Sequence, residues 1–77
     1  MEIIEFVKKI AEQFDETDIN EFSTKTAFHQ LEEYSSLISL SIMAMIDEEY
    51  DVQLNAEEMR NANTIQELYE TVQSHLQ

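Results

Sequence analysis

In 77 residues there is not one glycine and not one proline. That double absence constrains the fold more than any motif does. Two-residue hairpin turns need backbone positions that glycine fills at little cost, and proline pre-sets the common turn types. Without either, the chain carries no signal for tight hairpins, and what remains favours helices joined by polar loops. No strand is predicted. The same absence excludes glycine-rich phosphate loops, dinucleotide fingerprints and the nucleophile elbow. It also excludes a calcium loop that turns on glycine, despite the acids Asp47, Glu48, Glu49 and Asp51.

Charge narrows the partners. Seventeen acids against four lysines and arginines give a formal net charge of −13. Phosphate backbones and anionic membranes repel such a chain, whereas basic protein surfaces attract it. Nucleic-acid binding and membrane insertion are therefore not expected. No apolar run approaches the ~20 residues of a membrane span, and no basic leader opens the sequence. A cytoplasmic monomer is the expectation, folded as one domain over residues 1–77, since 43% apolar content is ordinary for a globular chain. Cysteine is absent, so there is no disulfide, no thiolate metal site and no cysteine nucleophile. Thiol chemistry would need an added group.

Periodicity places the helices. From Glu2 to Phe14 the residues Ile3, Val7, Ile10 and Phe14 share one stripe, with Glu2 and Glu5 leading and Lys8 and Lys9 trailing as the helix dipole favours. The pattern breaks from Asp15 to Ser35, a connection long enough to require a turn of its own or a function. Its anchors Ile19, Phe22, Phe28 and Leu31 suggest that it folds back over the core. A second helix is predicted over Ser36–Tyr50, with Ser35 as N-cap. It is apolar on two sides: Leu37, Leu40 and Ala44 form one stripe, and Ile38, Ile42, Met45 and Ile46 another. Asn55 to Glu58 reads as a capping box opening a short helix to Asn61, and Thr64 to Glu67 as a second box opening the last helix. The fold class is all-α: a small four-helix bundle of three main helices and one short one, with a long loop between the first two.

Chemistry has few places to sit. His29 and Glu32 have a spacing that some helical metal sites use, but a bundle site needs further ligands, and the other histidine, His75, falls in a terminal turn expected to fray. No metal site and no catalytic set is predicted. Ser35 and Ser36 are more informative, because they stand where the long loop meets the central helix. A phosphate ester there would face the positive end of the helix dipole.

Three stretches resemble one family over essentially the whole chain. Val7-Lys-Lys-Ile10 is similar to the first helix of bacterial acyl carrier proteins. Ser36-Leu37, followed by Met43-Ala-Met-Ile-Asp-Glu-Glu-Tyr-Asp-Val52, resembles the family's Asp-Ser-Leu helix with its acidic, aromatic end. Thr64-Ile-Gln-Glu67 resembles the entry to its last helix. The resemblance implies an acyl-carrier-like fold, no catalysis by the chain, and 4′-phosphopantetheine from coenzyme A attached to Ser36, with Ser35 as second candidate. It implies Leu37, Leu40, Ala44, Asp47 and Glu48 as the face touched by partners, namely a carrier protein synthase (phosphopantetheinyl transferase) and acyl-processing enzymes with basic patches. Ile42, Ile46 and Tyr50 match core positions around the sheltered acyl chain.

The departures are specific. The acid before the serine is Ser35 here, the preceding glycine is missing, and two commonly acidic positions of the next turn are Ile38 and Ser41. Glu32, Glu33, Asp47 and Glu48 are left to steer a basic partner. The implied cargo is an acyl chain of fatty-acid, polyketide or specialised lipid synthesis. An aminoacyl carrier, such as one for D-alanine, shares the fold and arm. An unmodified acidic interaction module is the reading from another class.

Overall fold

A computed structural model describes residues 2–77. Helix α1 spans Ile3–Ala11, α2 Ser36–Tyr50, α3 Ala56–Asn61 and α4 Ile65–Leu76, with 3₁₀ turns at Ile19–Glu21 and Phe28–Gln30. There are no strands among the described residues. The four-helix, all-α expectation holds. None of the described helices is long and apolar enough to cross a membrane.

α1 is shorter than its sequence pattern, which runs from Glu2 to Phe14. The amides of Gln13 and Phe14 close tight turns on Ile10 and Ala11. The next three amides, of Asp15, Glu16 and Thr17, donate to the Glu33 carboxylate instead of to carbonyls one turn back. The helix therefore closes in two tight turns, and the Glu33 carboxylate takes the amides that follow them. Phe14 nevertheless stays buried, its ring 5.0 Å from that of Phe22.

The caps follow the sequence with one difference. Asn55 and Glu58 exchange both bonds of a capping box, at 2.8 and 3.1 Å. At α4, Thr64 accepts from the Glu67 amide at 3.1 Å, but the Glu67 carboxylate takes the Asn63 amide, not that of Thr64. Half of the second box is therefore replaced by a bond one residue upstream. Carbonyls of the long loop meet two further orphan amides of α4: Ile65 donates to Thr26 and Gln66 to Thr24. The loop is a cap for the last helix.

The core runs between the helices and under this loop. Phe6 and Ile10 of α1, Ile42 and Ile46 of α2, Met59 of α3, Ile65, Leu68 and Val72 of α4 and Phe28 of the loop are fully buried. His75 does not fray: it lies within α4, with Nε2 2.6 Å from Glu58 Oε2, joining the ends of α3 and α4. That contact, with the Asn55 amide, holds the Glu58 carboxyl below its ordinary value. His29 is likewise structural. Its Nε2–H donates to the Met59 carbonyl at 2.9 Å, so the loop is tied to α3 as well.

α2 must stop without a glycine, and Asp51 adopts the left-handed conformation at its C-cap (φ 56°, ψ 41°). A Cβ is unfavourable there, and a carboxylate at the negative end of a helix adds to the cost. Asp51→Gly is expected to gain about 0.5–1 kcal/mol from backbone relief, partly offset by unfolded-state entropy. Denaturant melts will measure it; a loss of stability would show that the aspartate side chain makes a favourable contact.

Candidate functional site

The two serines at the entry to α2 have different duties. Ser35 is the N-cap: its backbone is extended, and its Oγ accepts from the Ile38 amide at 3.3 Å. Ser36 occupies the first helical position, is exposed, and its hydroxyl has no hydrogen-bond partner among the described residues. One hydroxyl is committed to the fold; the other is available to a reagent.

Beside Ser36 lies a groove of ≈ 390 Å³ between α2 and α3. Tyr34, Leu40, Met43 and Met59 line it, and Ser36 and Arg60 border it too. Tyr34 is braced from behind by the rings of Phe28 and His29, at 5.8 and 5.1 Å. Spacing along the chain gives no sign of this groove. It forms where residues 36–43 of α2 and 56–60 of α3 come together, and Met59 and Arg60 sit in a six-residue helix with no chemical motif of its own.

The two stripes of α2 face opposite ways. Ile38, Ile42, Met45 and Ile46 are buried, whereas Leu37 is 73% and Leu40 62% exposed. Ala44 and Glu48 are exposed as well, and Asp47 is half-buried. Two large leucines left in water on one helix face form a contiguous surface suited to a partner. Ile42 and Ile46 lie in the core behind that face and do not line the groove at Ser36. Tyr50 is half-buried with its ring 5.8 Å from Phe6, and burial pushes its hydroxyl pKa up.

Charge is distributed unevenly along this surface. From Ser35 to Ile46 no residue is charged. The acids begin at Asp47, eleven residues and roughly 16 Å along the helix from Ser36. Glu49 is paired with Lys9 of α1 at 3.0 Å, which raises the lysine pKa. Glu33, expected from the sequence to steer partners, is instead committed to the loop: three amides and the Thr17 hydroxyl donate to it at 2.6–3.0 Å. That leaves Asp47 and Glu48 on α2 and Glu32 in the loop as acids outside such contacts.

An exposed serine at the start of a central helix, an apolar groove at its side and an apolar helix face leading to acids form one arrangement. No curated protein and no solved structure matches the chain. A family model described as phosphopantetheine attachment site matches residues 5–72, from α1 into α4. Domains of this kind are where 4′-phosphopantetheine is covalently attached, and as carriers they are generally not catalysts. With the match covering nearly all of α1 to α4 and the serine between them, the chain belongs to the phosphopantetheine attachment site family.

Proposed function

We propose that the chain is an acyl carrier protein whose arm is attached at Ser36. The observation that supports this residue is its unpartnered, exposed hydroxyl at the first position of α2, next to a serine already engaged as the cap. The surroundings suit the group. An anionic phosphate is tolerated at a helix start that bears no acid in its first turn, and the groove offers apolar side chains alongside it. When bound, the arm supplies the thiol that the chain lacks and on which cargo is held.

The chain's own residues then present and recognise. Leu37, Leu40 and Ala44 make the apolar docking face, and Asp47 and Glu48 give a basic partner its orientation. Carrier proteins in general meet a synthase that loads the arm and enzymes that process the cargo. Here those partners carry basic patches and act on acyl chains of fatty-acid, polyketide or specialised lipid synthesis. Ile42, Ile46 and Tyr50 support the acyl chain indirectly, by anchoring α2 to the core. The setting proposed for this exchange is the cytoplasm, with the carrier as a single-domain monomer.

The test is an intact mass. Purified chain, coenzyme A, magnesium and a broad-range phosphopantetheinyl transferase should give one phosphopantetheine adduct, absent in Ser36→Ala and retained in Ser35→Ala. Loss in Ser35→Ala alone would move the site by one residue. No adduct with any of several transferases would leave the α2 face as an unmodified interaction surface.

A further inference from the structure

One cation borders the groove at Ser36, and it is unengaged. Arg60 is exposed on α3 and makes no ion pair or hydrogen bond among the described residues. Among the described residues Lys9 alone of the four lysines and arginines is in an ion pair, so what sets Arg60 apart from Lys8 and Lys25 is its place beside Ser36. Even Glu57, three residues earlier on the same helix, is not within ion-pair distance of it. The other three bases lie elsewhere: Lys8 and Lys9 on α1, the latter paired with Glu49, and Lys25 in the long loop.

The surroundings of the groove make the position of Arg60 selective. No other charged residue lines it. Residues 35–46 are uncharged, and Glu33 is held by the loop. An anion placed on the Ser36 hydroxyl would therefore meet a guanidinium across the groove and no free carboxylate along the intervening wall. Guanidinium groups suit phosphate oxygens in particular, because their planar donors can bind two of them at once.

We infer that Arg60 is a positioning residue for the arm, holding the phosphodiester at Ser36 from the opposite rim of the α2–α3 groove. The inference rests on the reading of Ser36 as the attachment site. Arg60 supplies no chemistry. It offsets the charge that modification adds to a chain already at −13, and it keeps the root of the arm over the groove instead of in solvent.

The experiment compares unmodified and phosphopantetheine-bearing forms of the full chain for wild type, Arg60→Lys, Arg60→Gln and Arg60→Glu. Melting temperatures at low salt give the change caused by the arm within each variant, so any effect of the substitution on the bare fold cancels. Relative to wild type, that change should be lower by about 2–5 °C in Arg60→Glu, intermediate in Arg60→Gln and largely restored in Arg60→Lys. High salt should erase the differences. The ³¹P resonance of the arm should move with salt in wild type and stay fixed in Arg60→Gln, a readout that a merely structural role for Arg60 would not shift. An arm that changes all four melting temperatures equally, with a ³¹P resonance indifferent to residue 60, overturns the role of Arg60 alone. A wild-type chain that takes no adduct overturns the Ser36 reading, and the role of Arg60 with it.

Discussion

Phe28→Ala is expected to cost about 3–5 kcal/mol, a large part of the roughly 4–11 kcal/mol that a chain of this length has in total. Phe28 stands in what looks like a connecting loop, yet its side chain is fully buried. The ring lies 4.2 Å from His29 and 5.8 Å from Tyr34. Collapse into the cavity left behind is resisted on both sides. Thr24 and Thr26 are fixed to the first turn of α4, and His29 is fixed to the Met59 carbonyl. The melting temperature should fall by at least about 12 °C at 4–8 °C per kcal/mol. Because Tyr34 rests on Phe28 and lines the groove at Ser36, fluorescence of a dye bound to exposed apolar surface should rise in the variant before global unfolding. Phe22→Ala, which removes a half-buried ring of the same loop, should cost less. A loss below about 1 kcal/mol for Phe28→Ala would mean that the loop merely covers the core.

This dependence explains which parts of the molecule could be read from its residues. The helices were legible because their evidence is local: apolar residues recur at helical spacing, and Asn55 and Thr64 stand where caps belong. The direction of the two α2 stripes was not, since both are apolar and only packing decides which meets the core. Loop fastenings were invisible for a related reason. Glu33 looks like a surface acid, and nothing in its neighbours announces three amide donors 16 to 18 residues upstream. The end of α2 was legible from its acids and aromatic residue, but its left-handed turn had to be made by Asp51 because glycine was unavailable. At the site, it is the family resemblance that favours Ser36 over Ser35; the capping bond shows only that the Ser35 hydroxyl is engaged at the helix start. Arg60 had no local signal at all; it matters only because α3 lies across from α2.

The second large effect should be seen when Glu33 is removed. Its carboxylate receives the amides of Asp15, Glu16 and Thr17 and the Thr17 hydroxyl, so Glu33→Ala leaves four donors without their acceptor at once. Hydrogen bonds to an ionised acceptor are the stronger kind, and amide exchange at residues 15–17 should accelerate about 10–100-fold. Glu33→Gln should fall between, because its carbonyl accepts but its NH₂ meets donors. Acid should reproduce the effect in the unaltered chain. Desolvation alone pushes the Glu33 pKa up, but the amide and hydroxyl donors outweigh it and bring the carboxyl below its ordinary 4.5. A group whose pKa is lower folded than unfolded stabilises fully above the unfolded value and loses that contribution as pH falls through the folded one. Protection at residues 15–17, corrected for intrinsic exchange, should therefore hold constant above about pH 4.5 and decay below it in wild type. In Glu33→Ala it should be low throughout. Since Glu33 lies three residues before Ser36, the same release should increase motion at the entry to α2 while α4, held by its own Thr64 cap, keeps its protection. Equal protection in wild type and Glu33→Ala, or a flat profile through pH 3, would show that the packing of Phe14, Phe22 and Phe28 closes the loop without the carboxylate.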